Sequence, residues 1–182
     1  TSLPAGPANF NTLCLPVTVF PFWEGFNSNS PTQSCWTVID NNGDGDAWDM
    51  DYAFNPFEGD ECATIRTDFN NGNNDDYLIS PQITLTGGER LRFKHRCNST
   101  FEPNDFRVLV STTGTAPADF TNVLLVDTST ATTYEEVLVD LYAFTGDVFI
   151  AFEIPNGGLD GWIMYIDDVL IEHNKVGFFA YR

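Results

Sequence analysis

The feature that most limits the fold is a two-residue alternation of apolar and polar side chains. The segment 90–96 reads Arg-Leu-Arg-Phe-Lys-His-Arg, and the segment 106–111 reads Phe-Arg-Val-Leu-Val-Ser. Successive side chains of a β-strand point to opposite faces of its sheet, whereas an amphipathic helix requires a repeat of about 3.6 residues. No long segment shows the helical repeat, so the chain is predicted to be all-β.

The alternating segments are short, and clusters of Gly, Asn, Asp and Pro separate them. The other predicted strands span 17–23, 36–40, 63–67, 77–85, 123–128, 134–141, 148–154 and 162–172. About ten short strands with regular turn signals predict an antiparallel β-sandwich of two sheets with jelly-roll topology. No linker rich in Pro, Ser or Gly divides the chain, so residues 1–182 are predicted to form one domain.

The chain is strongly acidic, with 26 Asp and Glu against 8 Lys and Arg and a net charge of −18. This charge disfavours nucleic acid and anionic membranes as partners. The carboxylates cluster with Asn and Gly at 40–51, 58–61 and 70–76, which favours neutralisation by calcium in a secreted compartment. The chain shows no signal peptide or membrane-spanning run and begins at Thr1, so we expect a processed piece of a larger secreted protein.

Four cysteines are present, Cys14, Cys35, Cys62 and Cys97, and none forms a Cys-x-x-Cys pair. This spacing argues against a zinc or thioredoxin-like site and favours two disulfides. Three pairings are open, and order along the chain favours Cys14 with Cys35 and Cys62 with Cys97.

An acidic loop follows the strand predicted at 36–40. It places Asp40, Asn42 and Asp44 at the first, third and fifth positions of an EF-hand-like loop, with Gly45 at the sixth and Asp46 next. Short oxygen side chains spaced in this way converge on one calcium ion, so these four polar residues are predicted ligands. An Asx-rich hairpin turn is the alternative, because no helical pattern flanks the loop.

Two adjacent carboxylates, Asp167 and Asp168, interrupt the apolar strand 163–171. Alternation is expected to send one of them to the apolar face, where a desolvated carboxylate needs a metal ion or an Arg partner. A strand end or a bulge with both side chains in solvent is the alternative. Glu24, within the segment Phe-Trp-Glu-Gly-Phe, is a candidate long-range partner of this pair.

Several of these segments together resemble the cleaved-adhesin domains, the haemagglutinin/adhesin modules attached to gingipain-type bacterial cysteine proteases. Trp-Thr-Val-Ile-Asp-Asn-Asn-Gly-Asp-Gly-Asp-Ala-Trp at 36–48 and Asn-Asp-Asp-Tyr-Leu-Ile-Ser-Pro at 74–81 carry the resemblance. Trp-Ile-Met-Tyr-Ile-Asp-Asp-Val at 162–169 fits the closing strand of that family. The resemblance covers about 20–172 and leaves the flanks 1–16 and 173–182 unplaced. MAM domains of cell-surface receptors are more distantly similar.

This resemblance implies a jelly-roll sandwich, structural calcium, extracellular display and binding of host proteins, haem proteins or glycans without catalysis. It also implies that Glu24 ligates one calcium together with Asp167 and Asp168, while Asp40, Asp44 and Asp46 lie in the family's acidic loop. Related modules occur as appendages of secreted proteases and polysaccharide-degrading enzymes. A carbohydrate-binding accessory module and a MAM-like structural or receptor spacer are therefore the alternatives.

Two groups of side chains are candidates for ligand contact. Arg92, Lys94 and Arg96 lie with Arg90 on one face of a predicted strand, where they would bind an anionic glycan or pair with Glu135, Glu136 or Glu153 on other strands. Aromatic rings in polar surroundings would stack on sugars; Tyr52, Phe57 and Phe101 are the candidates, whereas most of the four Trp are expected in the core.

Catalytic signatures are weak in this sequence. Its two histidines, His95 and His173, adjoin no nucleophile motif, and the Glu-x-Asp-x-x-Glu strand signature of jelly-roll glycosidases is absent. The chain is therefore predicted to be a secreted, non-catalytic, calcium-stabilised adhesin-type module that binds glycans or host proteins.

Overall fold

The alternation in the sequence corresponds to twelve antiparallel β-strands in the computed structural model, which describes residues 14–174. The strands are β1 Phe22–Glu24, β2 Thr37–Asp40, β3 Asp49–Tyr52, β4 Cys62–Arg66, β5 Asn73–Ile79, β6 Ile83–Leu85, β7 Glu89–Cys97, β8 Asn104–Ser111, β9 Asn122–Ser129, β10 Glu135–Asp140, β11 Gly146–Asn156 and β12 Ile163–His173. The expectations for 1–13 and for the tail 175–182 fall outside the described residues.

The strands form two six-stranded sheets. Sheet I has the order β10-β7-β12-β4-β3, with β1 also paired to β12, and sheet II has the order β2-β5-β11-β8-β9, with β6 also paired to β11. Most neighbours are distant in sequence, as the long connections of a jelly roll require. The predicted all-β, two-sheet antiparallel sandwich is confirmed.

The core lies between the sheets and consists of the apolar half of each alternating strand. Phe93 of β7 contacts Phe152 of β11 edge to face, with ring centroids 4.9 Å apart, and Phe106 of β8 at 6.1 Å. All three rings are fully buried. Burying each of them contributes about 1.5–3 kcal/mol, so this contact is a main source of cohesion between the sheets.

The disulfide prediction is half correct. Cys14 and Cys35 are bonded, whereas Cys62 and Cys97 are buried free thiols. Cys62 lies on β4 and Cys97 on β7, and β12 runs between these two strands. Two strand spacings separate the Cα atoms by at least about 9 Å, beyond the ~7 Å that a disulfide spans, so the predicted Cys62–Cys97 bond is wrong.

Glu89 stabilises the turn that precedes β7. Its buried carboxylate accepts hydrogen bonds from the backbone N–H groups of Thr86, Gly87 and Gly88, at 3.1, 3.0 and 3.0 Å, and from the Thr86 hydroxyl. Burial opposes ionisation of this group, but the four donors outweigh burial and hold the pKa of Glu89 at about 2.

We expect Glu89→Gln to lower the free energy of unfolding at pH 7 by about 2 kcal/mol, because hydrogen bonds to a charged acceptor are lost. A depressed pKa in the folded state stabilises the fold above the ordinary pKa of Glu, about 4.5, and this stability is lost as the pH falls towards 2. The free energies of unfolding of wild type and variant, measured by denaturant titration from pH 7 to 2, should therefore converge at low pH. Glu102→Gln, at an exposed position, is the control. A difference in the free energy of unfolding between wild type and Glu89→Gln that stays constant from pH 7 to 2 would contradict this role.

Candidate functional site

A bulge in β12 carries Asp167 and Asp168. Against β7 the register shifts between Asp167 and Leu170, and Asp168 adopts a left-handed backbone with φ of 49°. The flanking Ile166 and Val169 both pack in the core, so the extra residue lets both carboxylates leave the core face. The expectation that one of them must face the core is wrong. The alternative is confirmed for the bulge but wrong for solvent exposure, because both side chains are buried.

Asp167 anchors the loop between β3 and β4 onto the outer face of sheet I. Its Oδ2 accepts hydrogen bonds from the backbone N–H groups of Phe57, at 2.7 Å, and Glu58, at 3.2 Å. Its Oδ1 accepts one from the N–H of Asp168, at 2.6 Å. Burial raises the pKa of Asp167 to about 6, although these donors favour the ionised form.

Glu24 lies beside this bulge, because β1 pairs with β12 and places Glu24 opposite Val169. It is fully buried. Its Oε1 accepts from the backbone N–H of Phe26 at 2.8 Å, and its Oε2 accepts from the hydroxyls of Ser30 and Thr32 at 3.0 and 2.6 Å. Glu24 therefore organises the loop that follows β1.

Asp168, the second residue of the bulge, holds the side chain of Trp23 in place. The indole Nε1–H donates to Asp168 Oδ1 at 2.7 Å, and a guanidinium nitrogen of Arg92 lies 3.9 Å from Asp168 Oδ2. Trp23 is 40% exposed, unlike the buried Trp36 and Trp48. Its indole lines a cavity of about 460 Å³ together with Val19, Pro21, Asn27, Asn29 and Pro31.

The acidic loop 40–46 is held by hydrogen bonds of the kind expected for an Asx-rich turn. Asp40 accepts from the backbone N–H groups of Gly43 at 2.6 Å and Gly45 at 3.0 Å. The amide of Asn42 donates to Asp44 Oδ2 at 2.8 Å, and Asp46 N–H donates to Asp44 Oδ1 at 2.9 Å. Both glycines have positive φ, which lets the chain turn tightly around Asp40.

Asp76 adds a buried carboxylate to this loop, and sequence reasoning did not single it out. The pairing of β2 with β5 places Asp76 opposite Asp40. Asp76 is fully buried, and its Oδ1 has no hydrogen-bond partner among residues 14–174. Burial, together with the negative charges of Asp44, Asp40 and Asp75, raises the pKa of Asp76 to about 7. An unsatisfied carboxylate oxygen beside other carboxylates suits a cation ligand.

Most of the basic stripe is paired within the domain. Lys94 Nζ lies 3.0 Å and Arg92 3.4 Å from Glu136 Oε2, and Arg90 lies 2.6 Å from Glu172. Arg96 instead packs its guanidinium over the ring of Tyr165, 4.5 Å from the centroid. These contacts agree with the alternative in which the basic stripe pairs with carboxylates on neighbouring strands. Glu153, one of the expected partners, instead pairs with Arg107 on sheet II.

The aromatic candidates for ligand contact lie in different surroundings. Phe101 is 93% exposed in the connection between β7 and β8. Tyr52 is half-buried, contacts Tyr165 edge to face and lines a second cavity of about 230 Å³ with Asp49 and Arg66. Phe57 lies under Lys94 Nζ, 4.9 Å from its ring centroid. Trp23 was missed because its strand is apolar, and strand composition does not reveal which indole remains exposed.

The family model for the Cleaved Adhesin Domain matches residues 19–171. The chain belongs to the cleaved adhesin family. Gingipain R1 and hemagglutinin A of Porphyromonas gingivalis are each 30% identical to this cleaved adhesin domain over 110 residues, 56% of the chain. The chain spans only 5–6% of the length of these curated relatives.

Solved structures agree with the family and with the fold. The K1 cleaved adhesin domain of Lys-gingipain from P. gingivalis W83 has a TM-score of 0.71 and 26% identity, over 86% of this chain and 99% of that one. A xylan-binding domain of carbohydrate-binding module family 22 from Paenibacillus barcinonensis has a TM-score of 0.57 over 84% of this chain and 99% of that one. At 11% identity, this second likeness shows the sandwich fold alone.

Cleaved adhesin domains are non-catalytic adhesin modules, which agrees with the weak catalytic signatures of the sequence. None of the helical turns between residues 14 and 174 has the length and hydropathy needed to cross a membrane.

Calcium ligands are predicted at two places in this cleaved adhesin domain, the β12 bulge and the acidic loop 40–46. Between residues 14 and 174 no three Asp, Glu, His or Cys side chains converge in an arrangement that would hold a metal ion. At the β12 bulge, Glu24 and Asp167 are each occupied by three protein donors. At the acidic loop, Asp76 Oδ1 is unpartnered, and the neighbouring Asp40 and Asp44 already accept hydrogen bonds within the loop. The unpartnered oxygen makes this loop the better of the two places for calcium, and binding there would require the loop to draw its carboxylates together.

Proposed function

We propose that this domain is an extracellular, calcium-stabilised module of a larger secreted protein and that it binds neutral glycans. The glycan assignment is supported by the fold, which is shared with xylan-binding domains of carbohydrate-binding module family 22. Extracellular display is supported by relatives named gingipain and hemagglutinin, of which this chain matches a small part.

The observation that carries the calcium assignment is the buried, unpartnered carboxylate oxygen of Asp76. Asp76 would supply the first ligand oxygen, and the loop would rearrange to bring Asp40 and Asp44 to the ion, with Asn42 and Asp46 on the same loop as further oxygen donors. When bound, calcium would neutralise these carboxylates and join the loop after β2 to β5. Without a cation, a buried charge at Asp76 costs free energy.

We expect calcium to raise the melting temperature of the wild-type domain over that in EDTA. An ion that binds only the native state adds about 2.7 kcal/mol at ~100 times its dissociation constant. Asp76→Asn should abolish this rise, and in EDTA the variant should be more stable than wild type because a buried charge is gone. Thermal melts of the wild type and of Asp76→Asn, each in calcium and in EDTA, measure both effects.

The exposed Asp160 supplies the control, since Asp160→Asn should keep the full calcium response. Equal melting temperatures of the wild type in calcium and EDTA would remove calcium from the proposal. A calcium response that survives in Asp76→Asn would move the ion to another place.

Glycan binding is tested with an array of neutral and anionic oligosaccharides probed with the purified domain. Binding to neutral glycans without turnover supports the proposal. Binding to a host-protein panel alone would identify a protein adhesin, and hydrolysis of a glycan lost at one carboxylate variant would identify an enzyme.

A further inference from the structure

The cavity beside β1 has the chemistry of a sugar-binding subsite. We infer that Trp23 is the stacking platform for a neutral sugar ring in this cavity, and this inference rests on the proposed glycan-binding function. It is carried by the fixed orientation of the indole, the uncharged lining of the cavity and the charges around it.

The indole of Trp23 is held in place from two sides. Its Nε1–H donates to the buried Asp168 at 2.7 Å, at the bulge of β12. On the other side it packs over Gly25, where an added Cβ would lie only 2.5 Å from Cζ2 and Cη2 of the indole. Any residue larger than glycine at position 25 would displace the ring. A platform already fixed in its bound orientation loses little conformational entropy when a ligand stacks on it.

The cavity itself has an apolar wall and a polar rim. Val19, Pro21 and Pro31 present apolar surface next to the indole, and the amide side chains of Asn27 and Asn29 join the lining. The apolar C–H faces of a pyranose stack on an aromatic ring, while its hydroxyls bond to amides. At about 460 Å³ the cavity is within the ~300–1,000 Å³ typical of small-molecule sites.

The surrounding charges favour a neutral ligand over an anionic one. No Lys, Arg, Asp or Glu side chain lines this cavity among the described residues. Glu24 and Asp168 lie behind it, Arg92 and Lys94 contact Glu136, and the chain carries a net charge of −18. A uronate or sulfated sugar would therefore meet a negative field without a cation to bind it. The cavity beside Tyr52, with Asp49 and Arg66, differs in being charged and smaller.

The test measures binding of neutral oligosaccharides, with xylohexaose as the first titrant and the strongest neutral glycan from the array as the second. We expect Trp23→Ala to raise the Kd at least ten-fold, while Tyr52→Ala leaves it within two-fold. The bound sugar should also change the tryptophan fluorescence and shift one indole N–H resonance of the wild type, which is missing from Trp23→Ala.

Two further variants keep the test decisive if Trp23→Ala unfolds after losing its bond to Asp168. Trp23→Phe keeps a ring but no N–H and should bind with intermediate affinity. Val19→Asp places a charge on the cavity wall at a position that is 77% exposed, so it should block binding without changing the melting temperature.

The possible outcomes distinguish a failure of the Trp23 subsite from a failure of the proposed glycan-binding function. Loss of neutral-glycan binding in Trp23→Ala or Val19→Asp, with binding retained in Tyr52→Ala, establishes the subsite. Unchanged affinity in both cavity variants would overturn the subsite and leave the glycan-binding function standing. If the wild-type domain binds no glycan on the array, both the function and the subsite are overturned.

Discussion

Replacing the buried Asp167 by alanine is expected to destabilise the domain by about 3–5 kcal/mol. The carboxylate accepts three backbone hydrogen bonds, and truncation would leave the N–H groups of Phe57, Glu58 and Asp168 without this acceptor. The loop between β3 and β4 should also become a site of proteolytic cleavage. Denaturant titration and limited proteolysis measure the two effects.

The Asp167→Ala result separates a hydrogen-bonding role from a metal-ligand role. A loop anchor acts without metal, so the loss should be equally large in calcium and in EDTA. A loss seen only in calcium would instead support the family-derived expectation that Asp167 ligates an ion. Asp160→Ala, at an exposed position, should change stability by no more than about 0.5 kcal/mol.

Truncating Glu24 to alanine is expected to cost about 3–4 kcal/mol, because three donors lose their acceptor in a fully buried position. Ser30 and Thr32 also line the Trp23 cavity, so the loop that forms its wall should loosen. Affinity for the neutral glycan should therefore fall together with stability. Thermal melts and glycan titrations of the same preparation test the two effects.

Glu58→Ala is the matched control, since Glu58 is exposed. Its side chain is expected to contribute little, and only its backbone N–H contacts Asp167. A loss of stability below about 1 kcal/mol for Glu24→Ala would contradict the organising role of this carboxylate.

Much of the fold could be predicted, because burial against one core imposes the two-residue period directly. In β7 the predicted inward residues Leu91 and Phe93 are fully buried, and Arg92 and Lys94 point outward. The segment 77–85 was predicted as one strand but forms β5 and β6, with Pro81 between them. Proline cannot donate a hydrogen bond to a β-ladder, which explains why strand pairing is interrupted at Pro81 between β5 and β6.

The candidate site was less predictable, because its contacts join residues far apart in sequence. Asp168 adopts a positive φ without being glycine, and the register of β7 against β12 creates the bulge rather than any local motif. Asp76 was part of a recognised acidic cluster, but its burial depends on pairing with β2. Cys62 and Cys97 were paired by order along the chain, whereas strand order in sheet I keeps them apart.

The bulge at Asp167 and Asp168 acts as a phase shift in an otherwise periodic strand. Before it, alternate residues such as Met164 and Ile166 face the core, and after it Val169 and Ile171 resume the same face one residue late. Deleting Asp168 would remove the extra residue and leave a regular strand in which Ile166 and Val169 keep the core face, whereas straightening β12 with both Asp residues retained would turn Val169 outward and Leu170 inward. Sequence alignments of relatives should therefore be anchored separately on each side of this pair, since the length of the strand alone does not specify which side chains reach the surface.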